Sequence, residues 1–360
     1  MSTATIALRD EVIRLDQTES REARRARLSS GGLMAGIGLV LLVLAFRTKG
    51  EARYALSGYF DAVQLPTFSL PGLPTVLVCG LITLAVGAGF LGGRLNPRLR
   101  AGAATLAGIA VMLGLVTWAA SGVGLPFQIS NQLAGTIALA TPLVLGTLGG
   151  VLCENSGVVN VAIEGQFLVA AFTAATVGSV TKSIPMALVA AVIAGVLMAA
   201  MLAVFAIRYI VDQVVLGVVL NLFASGLTGF IFDQLVQPNS SQLNSAPIMQ
   251  AIPIPLLSSI PLLGPVLFNQ TILVYLAILS VFLVAFLLYR TRWGLRVRSV
   301  GEHPEAADTV GISVRAVRWQ AVLLGGVFAG LGGAFFTIGS TGAFNKDITV
   351  GNGFIALAAL

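Results

Sequence analysis

Long runs of apolar residues, separated by short polar segments, make up most of this chain. A helix that crosses the hydrocarbon core of a bilayer needs about 20 predominantly apolar residues. The pattern predicts nine complete crossings, over residues 28–46, 75–93, 101–120, 133–152, 158–180, 184–207, 213–236, 271–289 and 317–339. A tenth run, from Val350 to Leu360, would rise only about 16 Å as a helix, which is too short to cross.

The predicted fold class is therefore all-α: a polytopic integral membrane helix bundle with about nine complete transmembrane helices and a truncated tenth. We expect three parts along the chain. A charged cytoplasmic N-terminal tail occupies 1–27, an N-terminal extension with three transmembrane helices occupies 28–130, and a helical core occupies 131–360. A free carboxyl terminus inside hydrocarbon is costly, so we expect the core to be C-terminally incomplete, with further helices to follow.

Composition favours a membrane protein over a soluble one. Apolar residues make up 56% of the chain and charged residues only 10%, whereas soluble globular chains carry about 25% charged residues. Between Ala101 and Ile207 the only charged residues are Glu154, Glu164 and Lys182. A water-soluble domain could not cover its surface with so few charges.

The net charge of +6 does not indicate nucleic-acid binding, because the basic residues collect on one side of the predicted topology. With the N-terminus inside, the inner segments hold sixteen arginines and the outer segments only five basic residues. Cytoplasmic loops of membrane proteins are enriched in lysine and arginine. We therefore predict a cytoplasmic N-terminus, a cytoplasmic loop 290–318 and an outer loop 237–270. The six prolines of the outer loop are compatible with an ordered excursion or with a spacer.

The sequence lacks the motifs of several enzymatic mechanisms. A phosphate-binding P-loop needs Gly-Lys-Ser/Thr, and the three lysines instead follow Thr48, Thr181 and Asn345. The only histidine, His303, falls in a predicted cytoplasmic loop. That position excludes an intramembrane Ser–His pair, and a single histidine excludes a His-Glu-x-x-His zinc site. We expect no catalytic residue, no metal site and no cofactor in this chain.

The first informative polar stretch, 154–165, joins two predicted helices by a short cytoplasmic turn. Asn160 and Glu164 stand four residues apart, so we expect them on one face of the helix that begins near 158. Glu164 would then lie about 10 Å along that helix, inside the hydrocarbon core. An ionisable group at that depth indicates a polar path, and we favour a structural or gating role over direct solute contact. The predicted translocation-path residues are Asn155, Asn160, Glu164 and Asn221.

The second informative stretch lies in loop 290–318. Pro304 suits the first position of a helix and Gly311 suits the residue after its end, so the sequence predicts a two-turn helix between them. Acidic residues favour its N-terminal half, and Ala306 and Ala307 are expected to form a small outward face. The alternative is an ordinary loop whose arginines anchor the topology. The predicted docking segment consists of Glu302, Pro304, Glu305, Ala306, Ala307 and Gly311.

Both stretches resemble a known family. Glu-Asn-Ser-Gly-Val-Val-Asn-Val-Ala-Ile-Glu-Gly at 154–165 is similar to the signature of permease subunits of ABC importers. The nucleoside and simple-sugar branch is nearest, with ribose and branched-chain amino-acid permeases as wider relatives. The segment 294–311 resembles the family's cytoplasmic coupling segment. The resemblance covers 133–360, and residues 1–130 depart from the shorter members of the family.

The resemblance implies the transmembrane subunit of an ATP-driven importer in the plasma (inner) membrane, which moves a small polar solute. A nucleoside is the expected solute, and a ribose-type simple sugar is the alternative. The implied partners are a second homologous permease, ATP-binding cassette subunits that bind ATP and Mg²⁺, and an extracytoplasmic solute-binding lipoprotein. No nucleic acid is expected among them. The residues alone also leave open a proton-coupled secondary transporter that titrates Glu164, and a receptor or scaffold without flux.

Overall fold

The computed structural model describes residues 21–59, 61, 63–93 and 96–360. Nine helices in this part of the chain are long and apolar enough to cross a membrane. They match the nine predicted crossings, which confirms the all-α, polytopic membrane fold. Most of the tail predicted over 1–27 lies outside the described residues. Its last seven residues, from Arg21, are helical and belong to the first long helix.

The chain divides into two compact units, residues 1–129 and 130–360. Three long helices and a small sheet form the first unit. The helices are α1 (Arg21–Arg47), α2 (Gly72–Leu91) and α3 (Pro97–Ala120). In the sheet, β1 (Glu51–Ala55) pairs antiparallel with β2 (Phe68–Pro71) and parallel with β3 (Phe127–Gln128). That the first unit is an addition to the transport core stays a prediction.

Glycines allow α1 and α2 to cross closely. A Cβ atom on Gly87 would lie 2.5 Å from the backbone nitrogen of Ala35, and one on Gly38 would lie 2.7 Å from that of Leu84. Lipid offers no hydrophobic drive between helices, so close packing of small residues holds them together instead. Side chains larger than glycine at these two positions would separate the hairpin.

Six long helices form most of the second unit, and three of them are extended by π-helical turns. They are α4 (Ile129–Glu154), α5 (Ile163–Thr181), α6 (Ile184–Ala203, then Val204–Arg208), α7 (Gln213–Ile231, then Phe232–Val236), α8 (Ile272–Arg290) and α11 (Val314–Phe335, then Thr337–Thr341). Two short helices, α9 (Arg292–Glu302) and α10 (Pro304–Thr309), lie between α8 and α11. A last short helix, α12, spans Asn352–Ala358. The most buried crossings are α5 and α11, at 67% and 72%, so they form the centre of the unit.

The loop 237–270 is ordered by short elements. It contains the helical turns Ser240–Leu243 and Leu263–Leu267 and the antiparallel pair of β4 (Ile252–Pro253) and β5 (Asn269–Gln270). The Tyr275 hydroxyl donates a hydrogen bond to the Ile252 carbonyl oxygen at 3.0 Å, which ties the loop to the start of α8. These contacts favour the ordered excursion over the spacer.

Polar loops gather at the two ends of the second unit in the grouping that the predicted topology requires. At one end the turn after α4 meets α9, where a Cβ atom on Gly301 would lie 2.3 Å from the carbonyl oxygen of Asn155. At the other end Lys182 Nζ donates to the Ser245 carbonyl oxygen at 2.7 Å. The two ends therefore separate inner-assigned from outer-assigned loops. Which end faces the cytoplasm stays a prediction.

Candidate translocation and coupling sites

The chain between α4 and α5 is not helical. Turns and an extended stretch occupy 155–162, and α5 begins only at Ile163. Asn160 therefore lies before the helix, and the prediction that it shares a helix face with Glu164 is wrong. Its side-chain oxygen instead accepts a hydrogen bond from the Ala162 backbone N–H at 3.1 Å. Local bonds of this kind let asparagine compete with helix formation, which the four-residue spacing alone did not reveal.

The Glu164 carboxylate, in the first turn of α5, holds the chain at the start of α12. Its Oε1 accepts hydrogen bonds from the Thr349 hydroxyl at 2.5 Å and the Gly351 N–H at 2.9 Å. Its Oε2 accepts one from the Gly353 N–H at 2.6 Å. Both N–H groups belong to the N-terminal end of α12, where unpaired donors and the helix dipole favour a negative charge. Both carboxylate oxygens thus cap a neighbouring helix.

Asn221 of α7 braces the same region from another side. Its Oδ1 accepts a hydrogen bond from the Gly165 N–H at 2.8 Å, and its Nδ2 donates to the Val161 carbonyl oxygen at 2.9 Å. Backbone groups at a helix start lack partners within the helix, and inside a membrane each one needs a partner from the protein. The Asn221 amide supplies two of these partners.

The non-helical stretch 155–162 interrupts the membrane crossing that α5 completes, and it lies within the membrane-spanning part of the unit. A Cβ atom on Gly146 of α4 would lie 3.3 Å from Cγ2 of Ile163, the first residue of α5. Gly146 precedes Glu154, the last residue of α4, by eight positions, which is about 12 Å along the helix. This position agrees with the depth of about 10 Å predicted for Glu164. Non-helical chain, rather than a helix, covers that distance.

A second interrupted crossing meets the first at Glu164. After α11, residues 342–351 run back into the unit without forming a helix, and α12 follows. Phe344 on this segment is fully buried and packs edge-to-face on Phe172, with 5.1 Å between ring centroids. The predicted truncated tenth helix is therefore the seven-residue α12, preceded by a non-helical stretch.

Asn155 lies apart from the other three predicted path residues. It stands in the turn after α4, where its Nδ2 donates to the Val151 carbonyl oxygen at 2.8 Å. It lines an open polar cavity of about 570 Å³, together with Glu154, Leu295, Arg298, Ser299, Gly301 and Glu302. The structure thus brings Asn160, Glu164 and Asn221 together and leaves Asn155 beside the predicted docking segment.

The short helix predicted in loop 290–318 forms as α10. It begins at Pro304, and Gly311 just beyond it has a φ of +82°, a left-handed conformation that suits glycine. Ala306 is exposed, but Ala307 is only 4% exposed and packs in an apolar cluster with Val317 and other residues of the bundle. The prediction that both alanines face outward is therefore wrong for Ala307, because only one side of so short a helix is free.

Comparison with known protein families identifies the family to which the second unit belongs. A family model described as "Branched-chain amino acid transport system / permease component" matches residues 132–360. The chain belongs to this permease family. The match begins two residues into the second unit and runs to its end, so both interrupted crossings and α10 lie within it. The protein is thus a multi-pass membrane permease component, as the two sequence stretches indicated.

Two of the relatives are named for nucleoside and guanosine transport. The permease is 39% identical over 236 residues to the nucleoside ABC transporter permease protein NupC of Lactococcus lactis, which covers 63% of this chain and 73% of the relative. It is 40% identical over 232 residues to the guanosine ABC transporter permease protein NupQ of Bacillus subtilis, covering 62% and 72%. No solved structure matches the chain.

Sequence reasoning missed several residues of the permease that the structure places at these sites. Thr349 and Gly351 bind Glu164 across 185 and 187 positions of sequence and belong to no local motif. A second missed pair is Ser225 and Asp347, whose side chains are hydrogen-bonded at 2.9 Å. The one available signal for Asp347 was its position as an acidic residue just before the apolar run that begins at Val350.

Proposed function

We propose that this permease imports a nucleoside, as the transmembrane subunit of an ATP-driven importer in the plasma membrane with its N-terminus in the cytoplasm. The observation that carries the proposal is the similarity to relatives named for nucleoside and guanosine transport, at 39% and 40% identity. Nine helices able to cross a membrane in the described chain and two interrupted crossings that meet inside the second unit support a transport role. The proposed partners are a second homologous permease, ATP-binding subunits and an extracytoplasmic solute-binding lipoprotein.

In this proposal Asn160, Glu164 and Asn221 brace the translocation path and do not bind the solute. Asn160 and Asn221 are 2% and 9% exposed, and their polar atoms, like those of Glu164, already have protein partners. Non-helical backbone at membrane depth is tolerated where it is buried or lines a water-filled cavity. Transporters place their routes beside such interrupted helices. Asn155 belongs to the docking end instead.

The proposed docking surface for the ATP-binding subunit, which would hold ATP and Mg²⁺, is the exposed side of α10 and the residues before it. Three acidic side chains, Glu302, Glu305 and Asp308, are exposed there, so the surface fits a partner groove with basic residues. Ala307 fixes the opposite side of the helix in the apolar cluster of the bundle, beside Val317 of α11. Movement of α10 by a partner would therefore be transmitted to a central membrane helix.

A simple sugar is the second candidate solute. The putative glucose ABC transporter permease protein TsgC13 of Haloferax volcanii is 38% identical over 231 residues, which cover 64% of this chain and 69% of the relative. Proton coupling through Glu164 fits the structure poorly, because its two oxygens accept three hydrogen bonds from protein donors.

Uptake by the complete transporter tests the proposal. Proteoliposomes with the permease pair and ATP-binding subunits are loaded with ATP, the lipoprotein is added outside, and uptake of labelled guanosine is compared with that of glucose. ATP-dependent guanosine uptake that survives collapse of the proton gradient supports a nucleoside importer. Glucose uptake alone favours the second candidate. Uptake lost with the proton gradient while ATP is maintained contradicts ATP-driven import, and no flux of either solute would indicate a scaffold.

A further inference from the structure

A carboxylate lies on the surface of the second unit midway along a membrane-spanning helix. Asp347 is exposed, and its Oδ1 accepts a hydrogen bond from the Ser225 hydroxyl at 2.9 Å. Ser225 is twelve residues after Gln213, where α7 begins, so it lies about 18 Å along the helix. The π-helical turn that ends at Val236 lies eleven residues further on, which places the pair close to the middle.

Lipid is a poor neighbour for Asp347 at this position. Charged side chains at membrane depth face the interior of a bundle or a water-filled cavity, often paired with a basic group. Within the described residues Asp347 forms no ion pair, and the stretch of α7 just before Ser225 exposes large apolar side chains, with Leu222 69% and Phe223 44% exposed. A carboxylate on such a surface needs water or a polar partner beside it rather than lipid.

Polar groups continue from Asp347 in both directions along the same segment. Towards the outer-assigned end, Lys346 forms an ion pair of 2.6 Å with Asp233, eight residues beyond Ser225 on α7. Towards the other end, Thr349 and Gly351 bind Glu164 at the interruption of α5. The segment therefore carries a line of polar contacts from the outer end of the unit to its braced centre, with Asp347 between them.

We propose that Asp347 contacts the solute in the middle of the route and accepts hydrogen bonds from the two adjacent hydroxyl groups of a ribose ring. This inference rests on the nucleoside transport proposed above. A carboxylate only accepts hydrogen bonds and has about four acceptor positions, of which Ser225 uses one. Bonds to a charged acceptor are about twice as strong as neutral ones. A ribonucleoside gains two such bonds, and a 2′-deoxynucleoside gains only one.

The test is competitive uptake of guanosine and 2′-deoxyguanosine by the proteoliposomes described above, for wild type and Asp347→Asn. Asp347 has a φ of +53°, and asparagine tolerates this left-handed conformation as well as aspartate does, so the backbone is retained. Guanosine uptake should fall about tenfold, as expected when charge-assisted hydrogen bonds are lost. Uptake of 2′-deoxyguanosine should fall less, so the ratio of the two shifts towards one. The lipoprotein is identical in both samples, so the shift reports the permease.

Asp233→Asn is the matched control, because it makes the same chemical change at the outer ion pair and should leave the ratio unchanged. An Asp347→Asn permease with wild-type uptake and ratio would overturn the inference. Loss of permease pairing on co-purification would also overturn it, since Asp347 would then be a subunit contact. Wild-type transporter that carries glucose and no nucleoside would refute the proposed function and the ribose contact together. Normal wild-type nucleoside uptake with an unchanged variant ratio refutes only the contact.

Discussion

Replacement of Glu164 by leucine removes the link between the two interrupted crossings. The carboxylate accepts hydrogen bonds from Thr349 and from the backbone N–H groups of Gly351 and Gly353. Leucine has a similar volume and no acceptor, so all three donors lose their partner. An unsatisfied buried donor costs about 1–3 kcal/mol. Two of these donors, on Thr349 and Gly353, belong to buried residues, so we expect Glu164→Leu to lower the free energy of unfolding of the permease by about 2–6 kcal/mol.

Glutamine at the same position should cost less, yet it should not be neutral. Its side chain has one carbonyl oxygen and one NH₂ group, which only donates. Both carboxylate oxygens of Glu164 are acceptors in the structure, so one N–H, such as that of Gly353, would face a donor. We expect a loss of about 1–3 kcal/mol for Glu164→Gln.

The assay is chemical unfolding of the purified permease in mixed micelles, followed by circular dichroism. Thr349→Val is the matched control: it removes one donor together with its bond and keeps the shape, so about 1 kcal/mol should be lost. The expected order of destabilisation is therefore leucine, then glutamine, then the valine control. A Glu164→Leu permease within about 0.5 kcal/mol of wild type, the usual spread of surface substitutions, would refute the bracing role.

Three further predictions concern topology, coupling and pH. A cysteine at Ser240 should react with an impermeant reagent added outside cells and one at Thr309 should not, because the predicted topology places only Ser240 outside. Both sites are exposed and the two native cysteines are buried, so labelling reports the side of the membrane. The reverse labelling would invert the topology. Ala306→Trp should reduce co-purification of the ATP-binding subunit at unchanged thermal stability, whereas Ala307→Trp should destabilise the permease itself, because only Ala307 is buried; equal effects would contradict the assigned face. Burial raises the pKa of Tyr54 above 10.0, so its contribution to stability is present below that pH and is lost as pH rises through the folded pKa. The melting temperature should therefore fall as pH rises through this range, and Tyr54→Phe should make that fall smaller.

The sequence alone determined the membrane crossings and the limits of α10. Length and apolarity are local properties of a helix in lipid, so the nine runs could be read directly. The same holds for Pro304 and Gly311, because a fixed φ at a helix start and a left-handed residue after its end depend on one residue each. Glu164 was also recognised as an ionisable group within an apolar stretch, since few charges stand near it in the sequence.

Only the tertiary structure decided what these residues contact. The side chain of Glu164 meets donors 185 to 189 positions away, which exist because a non-helical segment leaves the first N–H groups of α12 unpaired. The spacing of Asn160 and Glu164 suggested one helix, but the local bond of Asn160 to Ala162 belongs to a chain that has not yet become helical. Ala307 turned inward because α10 lies against the bundle. Periodicity determines which residues share a face, whereas the surrounding elements decide which face is buried and which distant groups need a partner.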